Sequence, residues 1–506
     1  MPPSGLPAAF LETTEDALLG LLGRYARTHP PFTTGEVAGR FGLPVDAARV
    51  ALGALETRGA LVVGELRPGG TEREWCDPEV LRRLRRASLA VLRKEVEAVD
   101  SVALARFLPA WQGIDRQRTG NGPDRLRETI GVLQGLALPF AQWEGETLPR
   151  RISGYSPAWL DRLLASGDVL WVGAGAMGRD GGRVALYLRE EAALFGPPPS
   201  DASPEGPGHV MLRDALAGGA SFWDDLSASV DVPPEEVFAA LWQLVWAGEV
   251  TNDLWLPLRA PRQAPRLRPT VRPSFGRRGS STTRIPPAVA GRWSLVAKRF
   301  ARTPDEAQRR RALAELLLER HGVLTRSATL ADGVPGGFSR VYGDLTDLET
   351  LGRCRRGYFV EGLGGAQFAL PGAVERLRDL RDAPGEPEVL VLGAADPAQP
   401  FGATIPWPAR DGARRTPART YGAMVVLVDG LPIVYVERGG RSLLTFGAGP
   451  ALAVALAALV SWVGAEPRRR LRIERVDGGP AFDSKLVDEL RNAGFRLGAK
   501  GYEFGR

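Results

Sequence analysis

The chain has 506 residues, of which 44% are hydrophobic and 25% charged, so it can bury the cores of several domains and global disorder is excluded. Its formal net charge is +6, and only four of its 65 basic residues are lysines. Arginine forks suit phosphate groups. Two cysteines exclude a disulfide scaffold and a cysteine-based zinc finger. We expect a cytoplasmic protein that spans no membrane and carries no cofactor.

One pattern recurs along the chain, in which an amphipathic helix ends at a glycine and a short apolar strand follows. The glycines are Gly59, Gly167, Gly248 and Gly352. Glycine adopts the left-handed conformation that ends a helix. Before Gly59 the spacing predicts helices at 15–28, 35–41 and 45–58, and a hairpin of strands at 60–65 and 72–76 follows. Three helices and a two-stranded wing are typical of a winged helix, whose third helix enters a DNA groove.

The fold class predicted from this repeat is α+β, with tandem winged-helix domains followed by a C-terminal β-barrel-like α+β domain. The second unit is irregular and is either one enlarged unit or two. The hairpin signal Asp429-Gly430 and the apolar helix at 451–463 indicate the last domain. The predicted boundaries are 1–82, 83–198, 199–256 and 304–382 for the winged helices, 257–303 for a linker and 383–506 for the last domain.

The segment 257–303 contains no Asp or Glu and is rich in proline and arginine, so it is predicted to be an extended basic linker. Its Arg277 and Arg278 are candidates for phosphate contacts, and a surface tether packed on its neighbours explains the segment equally well. The end of this segment, around Trp293, is expected to be docked because tryptophan seldom stays exposed.

Further candidates for DNA contacts lie on the predicted third helices and wings. Arg49, Arg58 and Arg340 lie on or next to third helices, although a solvated helix face explains any single arginine better. Arg353, Arg355, Arg356 and Tyr358 cluster on one short wing, which favours backbone binding with stacking. The third unit crowds Trp223, Trp242, Trp246 and Trp255 beside acidic residues, and we expect this unit to serve structure or oligomerisation.

Several stretches of the chain resemble the C-terminal region of Lhr, the large helicase-related proteins of bacteria. These stretches are Phe107–Ile114, Leu148–Arg151, Gly291–Val296, Gly333–Tyr342, Arg355–Phe368 and Asp396–Gly402. The resemblance implies a superfamily 2 DNA repair helicase whose motor precedes this region, and a C-terminal part that forms a homo-oligomer. The chain has no P-loop motif. We therefore expect the motor on the same or a separate polypeptide, and single-stranded or forked DNA as the partner.

The winged-helix array is also similar to the AlkZ-type DNA glycosylases, which use a Gln-x-Gln or Gln-x-Asp motif. The nearest match here is Gln134-Gly135-Leu136, and Glu144 and Glu146 lie close by in sequence. The resemblance makes Gln134 a candidate catalytic residue of a glycosylase that excises damaged or deaminated bases. Glu144 and Glu146 are further candidates because such an enzyme needs a carboxylate or amide to hold the attacking water, although ordinary surface carboxylates are the alternative. Three hypotheses follow: a DNA-binding and oligomerisation region without a motor, a glycosylase, and a protein-interaction scaffold.

Overall fold

The computed structural model describes residues 16–67, 72–95, 98–114, 120–178, 181–198, 203–260, 286–300, 304–382, 385, 387–410, 416–465 and 470–505. The chain divides into two compact units, Met1–Glu97 with Asp347–Arg356 and Ala98–Thr346 with Gly357–Arg506. Four winged-helix modules, named A to D in chain order, precede a C-terminal α+β domain.

Module A has the predicted order of elements. Its helices are Ala17–Thr28, Thr34–Phe41 and Val45–Thr57, its strands are Phe32–Thr33, Val62–Gly64 and Glu74–Cys76, and helix Pro78–Glu95 follows. A capping box between Thr33 and Glu36 begins the second helix, and Gly42 ends it with φ 62°. The last strand pairs with both others, so a strand that precedes the second helix joins the wing.

Module B is a single winged helix preceded by helix Ser101–Trp111. Its other helices are Gly122–Leu133 and Pro157–Ser166, and its strands are Leu138–Pro139, Val169–Met177 and Gly181–Leu188. Between them the chain forms a helix that the sequence did not indicate, because Gly145 and Pro149 interrupt its apolar pattern. This helix runs from Phe140–Gln142 through a π-helical turn, Trp143–Thr147, into Leu148–Arg151.

Module C contains the end of the segment predicted to be a linker. Its helices are Pro207–Ala217, Trp223–Ser229 and Pro234–Trp246, and its strands are Ser221–Phe222, Val250–Asn252 and Arg292–Leu295. The strand Arg292–Leu295 lies between the other two, and Trp293 is fully buried. Docking of Trp293 is therefore confirmed. The linker prediction for 257–303 is wrong at both ends, because helix Leu256–Arg259 and the turn Pro287–Val289 also belong to this core. Residues 261–285 lie outside the described residues.

Module D has the helices Glu306–His321, Arg326–Ala331 and Gly337–Thr350 and the strands Val323–Leu324, Arg355–Gly357 and Gln367–Ala369. Asp305 and Thr325 cap the first two helices through their side chains. The strand before the second helix again pairs with the last strand. Helix Ala373–Asp379 connects this module to the last domain.

The C-terminal domain is an open sheet covered by an apolar helix. The six strands of the sheet run in the order Val389–Gly393, Met424–Val428, Leu431–Val436, Ser442–Thr445, Arg475–Val476 and Gly479–Pro480. A second sheet joins Leu471–Ile473, Gly501–Phe504 and Arg496–Gly498. The α+β class is confirmed, but the described strands close no barrel. The hairpin at Asp429-Gly430 is confirmed, with positive φ at both residues.

The apolar helix Pro450–Gly464 packs on the first sheet and is followed by the short helix Val487–Asn492. In the described part of the chain, no helix combines the length and apolar character needed to cross a membrane.

The third helix of module C is buried against the wing of module B. Trp246 covers Gly182, and a Cβ at Gly173 would lie 1.9 Å from the carbonyl oxygen of Val245. Trp242 is 5% exposed and stacks on Trp246. The expectation that these tryptophans form part of the core is confirmed, and the expected role of the unit in oligomerisation stays a prediction.

This close contact predicts a destabilising effect of Gly173→Ala. The added methyl group has no space against the backbone of Val245, and overpacking of this kind costs about 1–3 kcal/mol. Urea denaturation measures the change. Gly343→Ala is the matched control, because its Cβ meets nothing within 4 Å and alanine favours a helix. A Gly173→Ala variant as stable as the control would contradict the contact.

Candidate functional site

Two of the predicted arginines lie at the exposed face of the third helix of module A. Arg49 and Asp46 form an ion pair at 3.0 Å, with side chains 64% and 90% exposed. Arg58, at the end of the helix, pairs with Asp16 at 2.8 Å, and both side chains are 56% exposed. Exposed pairs of this kind contribute little to stability, so phosphate can replace the carboxylate at little cost.

The corresponding helix of module D exposes Ser339, Arg340 and Gly343. Arg340 pairs with Glu306 at 2.5 Å, again between exposed side chains. On the wing, Tyr358 is 48% exposed, and its hydroxyl accepts a hydrogen bond from the Gly362 N–H at 2.9 Å.

A buried amide holds the wing loop next to Tyr358. The Oε1 atom of Gln367 accepts hydrogen bonds from the N–H groups of Phe359 and Val360, and its Nε2 donates to the Val360 carbonyl. Gln367 is fully buried. The loop therefore presents the Tyr358 ring from a fixed backbone.

The three predicted arginines of that wing differ in their surroundings. Arg353 and Arg355 are exposed. Arg356 lies 3.3 Å from Glu349, whose side chain is only 4% exposed, so Arg356 neutralises a buried carboxylate. All three stay candidates for phosphate contacts, and Arg353 and Arg355 are the two whose side chains are exposed. Arg277 and Arg278 lie outside the described residues.

The predicted catalytic amide, Gln134, is 2% exposed and has several partners. Its Nε2 donates to Glu191 at 2.5 Å, its Oε1 accepts from the Leu188 N–H at 3.2 Å, and its backbone carbonyl accepts from Arg320 at 2.6 Å. These bonds tie the end of helix Gly122–Leu133 to the wing of module B and to module D. A catalytic role for Gln134 stays a prediction that would require these contacts to open.

Glu144 lies in a charged cluster at the π-helical turn. Both its oxygens accept from Arg259, at 2.6 and 2.7 Å, and Oε1 also accepts from the Tyr155 hydroxyl at 3.1 Å. Arg259 bridges to Asp161 at 2.8 Å. Burial, reinforced by the Glu144 charge, raises the pKa of Tyr155 well above its usual range.

Glu146 lies on the same turn but against a different neighbour. A Cβ at Gly393 would lie 2.2 Å from its Oε2, so Glu146 contacts the edge of the C-terminal sheet. Gln134, Glu144 and Glu146 thus contact three different sets of residues. Their roles as a catalytic group stay a prediction.

Three of the stretches that resemble Lhr meet at a buried ion pair that the sequence did not single out. The Arg151 guanidinium donates to both carboxylate oxygens of Asp396, at 2.8 and 3.1 Å, and each side chain is 1% exposed. Its Nη2 also donates to the Oε1 of Gln112 at 2.8 Å, and its Nη1 donates to the Thr147 carbonyl at 3.0 Å. These partners use the N–H groups of both Nη atoms, and only the Nε atom has no hydrogen-bond partner.

A cavity of about 300 Å³ lies beside this ion pair. Its lining consists of Trp111, Gln112, Arg125, Glu128, Thr129, Val132, Leu133, Arg151, Glu319 and Arg376. Arg125 lies so close to Gly113 that a Cβ there would be 2.2 Å from its Nη2, so glycine makes room for the guanidinium. Trp111 donates to the Glu319 carbonyl at 2.7 Å, and the Arg376 guanidinium lies 5.5 Å from its ring centre.

Two buried carboxylates in this region have lowered pKa values. Burial alone would raise the pKa of Asp396, but the Arg151 charge outweighs it and holds that pKa below the usual range. Burial is likewise outweighed at Asp332, where His321 and Arg320 lower the pKa of the carboxyl. Within the described residues, no three His, Cys, Asp or Glu side chains form a cluster suited to a metal ion.

These shifts predict acid sensitivity. A carboxyl whose pKa is lower in the folded chain stabilises it fully above the unfolded pKa of about 3.9, and this stabilisation is lost as the pH falls further. We expect the free energy of unfolding to drop as the pH is lowered below about 4, which urea denaturation at a series of pH values measures. The drop should be shallower in Asp332→Asn. An equally steep drop in that variant would contradict the assignment.

The comparisons place this chain among known proteins. Two family models, each described as a winged-helix domain of the large helicase-related protein, match residues 303–389 and 99–189. The Lhr helicase/probable uracil glycosylase of Mycolicibacterium smegmatis is 43% identical over 504 residues, which is 96% of this chain and 33% of that protein. The Lhr helicase/uracil glycosylase of Escherichia coli is 34% identical over 542 residues, 99% of this chain and 34% of that protein.

The solved structure of the Streptomyces sahachiroi DNA glycosylase AlkZ matches 75% of this chain and all of its own, with 14% identity and a TM-score of 0.43. A TM-score this low establishes no common mechanism. The chain spans about a third of the length of its two Lhr relatives. Over nearly its whole length the chain is similar to these Lhr proteins, and residues 99–189 and 303–389 match winged-helix domains of the large helicase-related protein.

Proposed function

We propose that this chain is the DNA-binding region of an Lhr-type DNA repair helicase, with single-stranded or forked DNA as its partner. The observation that carries the proposal is the repeated winged helix whose third helix and wing expose arginines. Arg49 and Arg58 lie at the third helix of module A, and Arg340 lies on that of module D. Winged-helix modules use these two elements to contact bases and phosphates.

The modules differ in what they offer to DNA. The third helix of module C is buried against module B and begins with the acidic residues Glu235 and Glu236. Its role is to hold modules B and C together. We therefore assign DNA contact to modules A and D, and to the basic segment that contains Arg277 and Arg278.

The proposal also covers the helicase motor and the oligomeric state of the chain. The two Lhr relatives are about three times as long as the stretch they share with this chain, and each is named as a helicase. We assign unwinding to a motor outside this chain, on the same or a separate polypeptide, and expect the region to form a homo-oligomer.

A salt titration of DNA binding tests the proposal. The logarithm of the affinity for a single-stranded oligonucleotide should fall linearly with the logarithm of the salt concentration, because each phosphate contact releases bound cations. The control is a neutral peptide-backbone oligomer of the same base sequence, which should bind far more weakly. Affinity that does not change with salt would contradict phosphate contacts, and oligomerisation without any DNA binding would favour a protein-interaction scaffold.

A second candidate function is the excision of damaged or deaminated bases. The names of both relatives include uracil glycosylase activity, and the cavity beside Arg151 is large enough for a base. Incubating the chain with uracil-containing DNA and then with alkali tests it, because an abasic site breaks under alkali. The Glu144→Gln and Glu146→Gln variants show how much strand scission depends on each of the two predicted carboxylates. Absence of strand scission by the unaltered chain would contradict the candidate.

A further inference from the structure

A recess of about 430 Å³ lies between module D and the C-terminal domain, and Arg419 forms part of its lining. We propose that this recess binds one phosphate group of the DNA backbone, through the guanidinium of Arg419 and the hydroxyl of Ser327. The proposal rests on the DNA binding proposed above. It adds the C-terminal domain to the surface that contacts DNA.

Backbone carbonyl groups hold the guanidinium of Arg419 in place. Its Nη2 donates to the Asp396 carbonyl at 3.0 Å, and its Nη1 donates to the carbonyls of Gln399 and Phe401. These three residues follow the first strand of the C-terminal sheet. Among the described residues, all hydrogen-bond partners of Arg419 are carbonyl groups and none is a carboxylate. The guanidinium therefore has a fixed orientation and no direct counter-charge.

Two carboxylates attract Arg419 from beyond hydrogen-bond distance, and each is already paired with another arginine. Asp396 accepts two hydrogen bonds from Arg151. Asp332 is paired with Arg320 at 2.7 Å. Burial lowers the pKa of Arg419, and the attraction of the two carboxylates does not offset this effect. Three arginines thus share two carboxylates, and the positive charge in surplus lies on Arg419.

The rest of the recess suits an anion that enters from solvent. Its lining consists of Ser327, Leu330, Ala331, Gly402, Ala403 and Arg419. No Asp or Glu of the described chain belongs to this lining, whereas Glu128 and Glu319 line the cavity beside Arg151. Leu330 is 62% exposed, so the recess opens at the surface. A phosphate group can approach Arg419 without displacing a carboxylate and can form charge-assisted hydrogen bonds there.

The position of the recess favours the DNA backbone over a free phosphate as the source of this group. Ser327 and Leu330 lie on helix Arg326–Ala331, the second helix of module D. In a helix-turn-helix, the helix before the recognition helix crosses the DNA backbone. A duplex whose groove receives the third helix, which carries Arg340, therefore brings its phosphates towards Ser327. The volume of about 430 Å³ also leaves room for the sugar next to the phosphate.

An added carboxylate tests the site while Arg419 stays in place. Ser327→Asp introduces a negative charge into the wall of the recess, where it attracts Arg419 and repels phosphate. The affinity for forked DNA should fall about tenfold, as for the loss of one charge-assisted hydrogen bond. The slope of the salt dependence should become shallower by about 0.9, the contribution of one phosphate contact in a duplex. Fluorescence anisotropy measures both. Thermal unfolding should show no loss of stability, because Arg419 gains a counter-charge.

The matched control is Ser227→Asp, the same replacement on the second helix of module C. Its net charge equals that of Ser327→Asp, and module C is not assigned to DNA contact, so it should keep nearly the affinity of the unaltered chain. Equal affinities of the two variants for forked DNA overturn the recess alone. Failure of the unaltered chain to bind forked DNA overturns the DNA binding and the recess with it.

Two further measurements identify the residue and the source of the phosphate. Arg419→Gln should weaken binding to a similar extent, and its combination with Ser327→Asp should weaken binding by less than the product of the separate effects, because both act on one phosphate. Fully multiplicative effects would contradict a shared contact. Calorimetric titration with inorganic phosphate should show no saturable binding. Saturable binding, together with unchanged DNA affinity of Ser327→Asp, would assign the recess to a free phosphate and overturn the DNA contact.

Discussion

Asp396→Asn is expected to lower the free energy of unfolding by about 3–5 kcal/mol, because it leaves the Arg151 guanidinium buried without a counter-charge. Asparagine has nearly the same shape, so the loss reports the charge and not a cavity. The carboxylate also accepts from the Ala398 N–H at 2.8 Å, which fixes the loop after the first strand of the C-terminal sheet. Urea denaturation measures the change, with the transition of the unaltered chain as reference.

A double replacement is the informative control. Arg151→Met with Asp396→Leu removes both charges and should be closer in stability to the unaltered chain than Asp396→Asn, since paired burial of charges contributes little net stability. Asp46→Asn, at an exposed pair in module A, should change stability by less than about 1 kcal/mol. A loss below about 1 kcal/mol for Asp396→Asn would mean that Arg151 is solvated in the folded chain.

The winged-helix repeat was predictable because its signals are local. The third helix of each module is followed within one turn by a glycine, and these glycines, Gly59, Gly167, Gly248 and Gly352, all have the positive φ that this role requires. The hairpin at Asp429-Gly430 is local in the same sense. Periodic apolar residues such as Leu52 and Leu55 then fix which helix face enters the core.

The linker prediction for 257–303 was wrong because composition does not reveal pairing. The segment is rich in proline and arginine along its length, yet Arg292–Leu295 inserts between two strands that lie more than 40 residues earlier. Only Trp293 carried a signal, and it is fully buried in that sheet. The barrel-like prediction likewise depended on how distant strands close, which no local pattern specifies.

The cavity was not predicted because its residues are far apart in sequence. Gln112, Arg151 and Asp396 belong to three stretches that resemble Lhr, and they meet only when module B packs on the C-terminal domain. The resemblance to the AlkZ-type motif favoured Gln134 instead, and proximity in sequence added Glu144 and Glu146. In the fold these three side chains contact different residues. Arginines followed by a distant acidic residue give no pattern that identifies an ion pair in advance.

The wing arginines should carry a large share of DNA affinity. The double variant Arg353→Ala with Arg355→Ala removes two exposed guanidinium groups. If each makes a charge-assisted bond to phosphate worth about 1.5 kcal/mol, affinity for single-stranded DNA should fall roughly a hundredfold. The slope of the salt dependence should become shallower by about 1.4, since each contact on a single strand contributes about 0.7. Fluorescence anisotropy at several salt concentrations measures both.

The matched control removes the same charge from a surface that a winged helix does not turn to DNA. Arg24→Ala with Arg27→Ala changes two exposed arginines on the first helix of module A. Its net charge equals that of the wing variant, so non-specific attraction to DNA falls equally in both. A wing variant that binds DNA as tightly as this control would exclude Arg353 and Arg355 from the contact. A selective loss in the wing variant would place the DNA strand against that wing, because general electrostatics alone cannot separate the two variants.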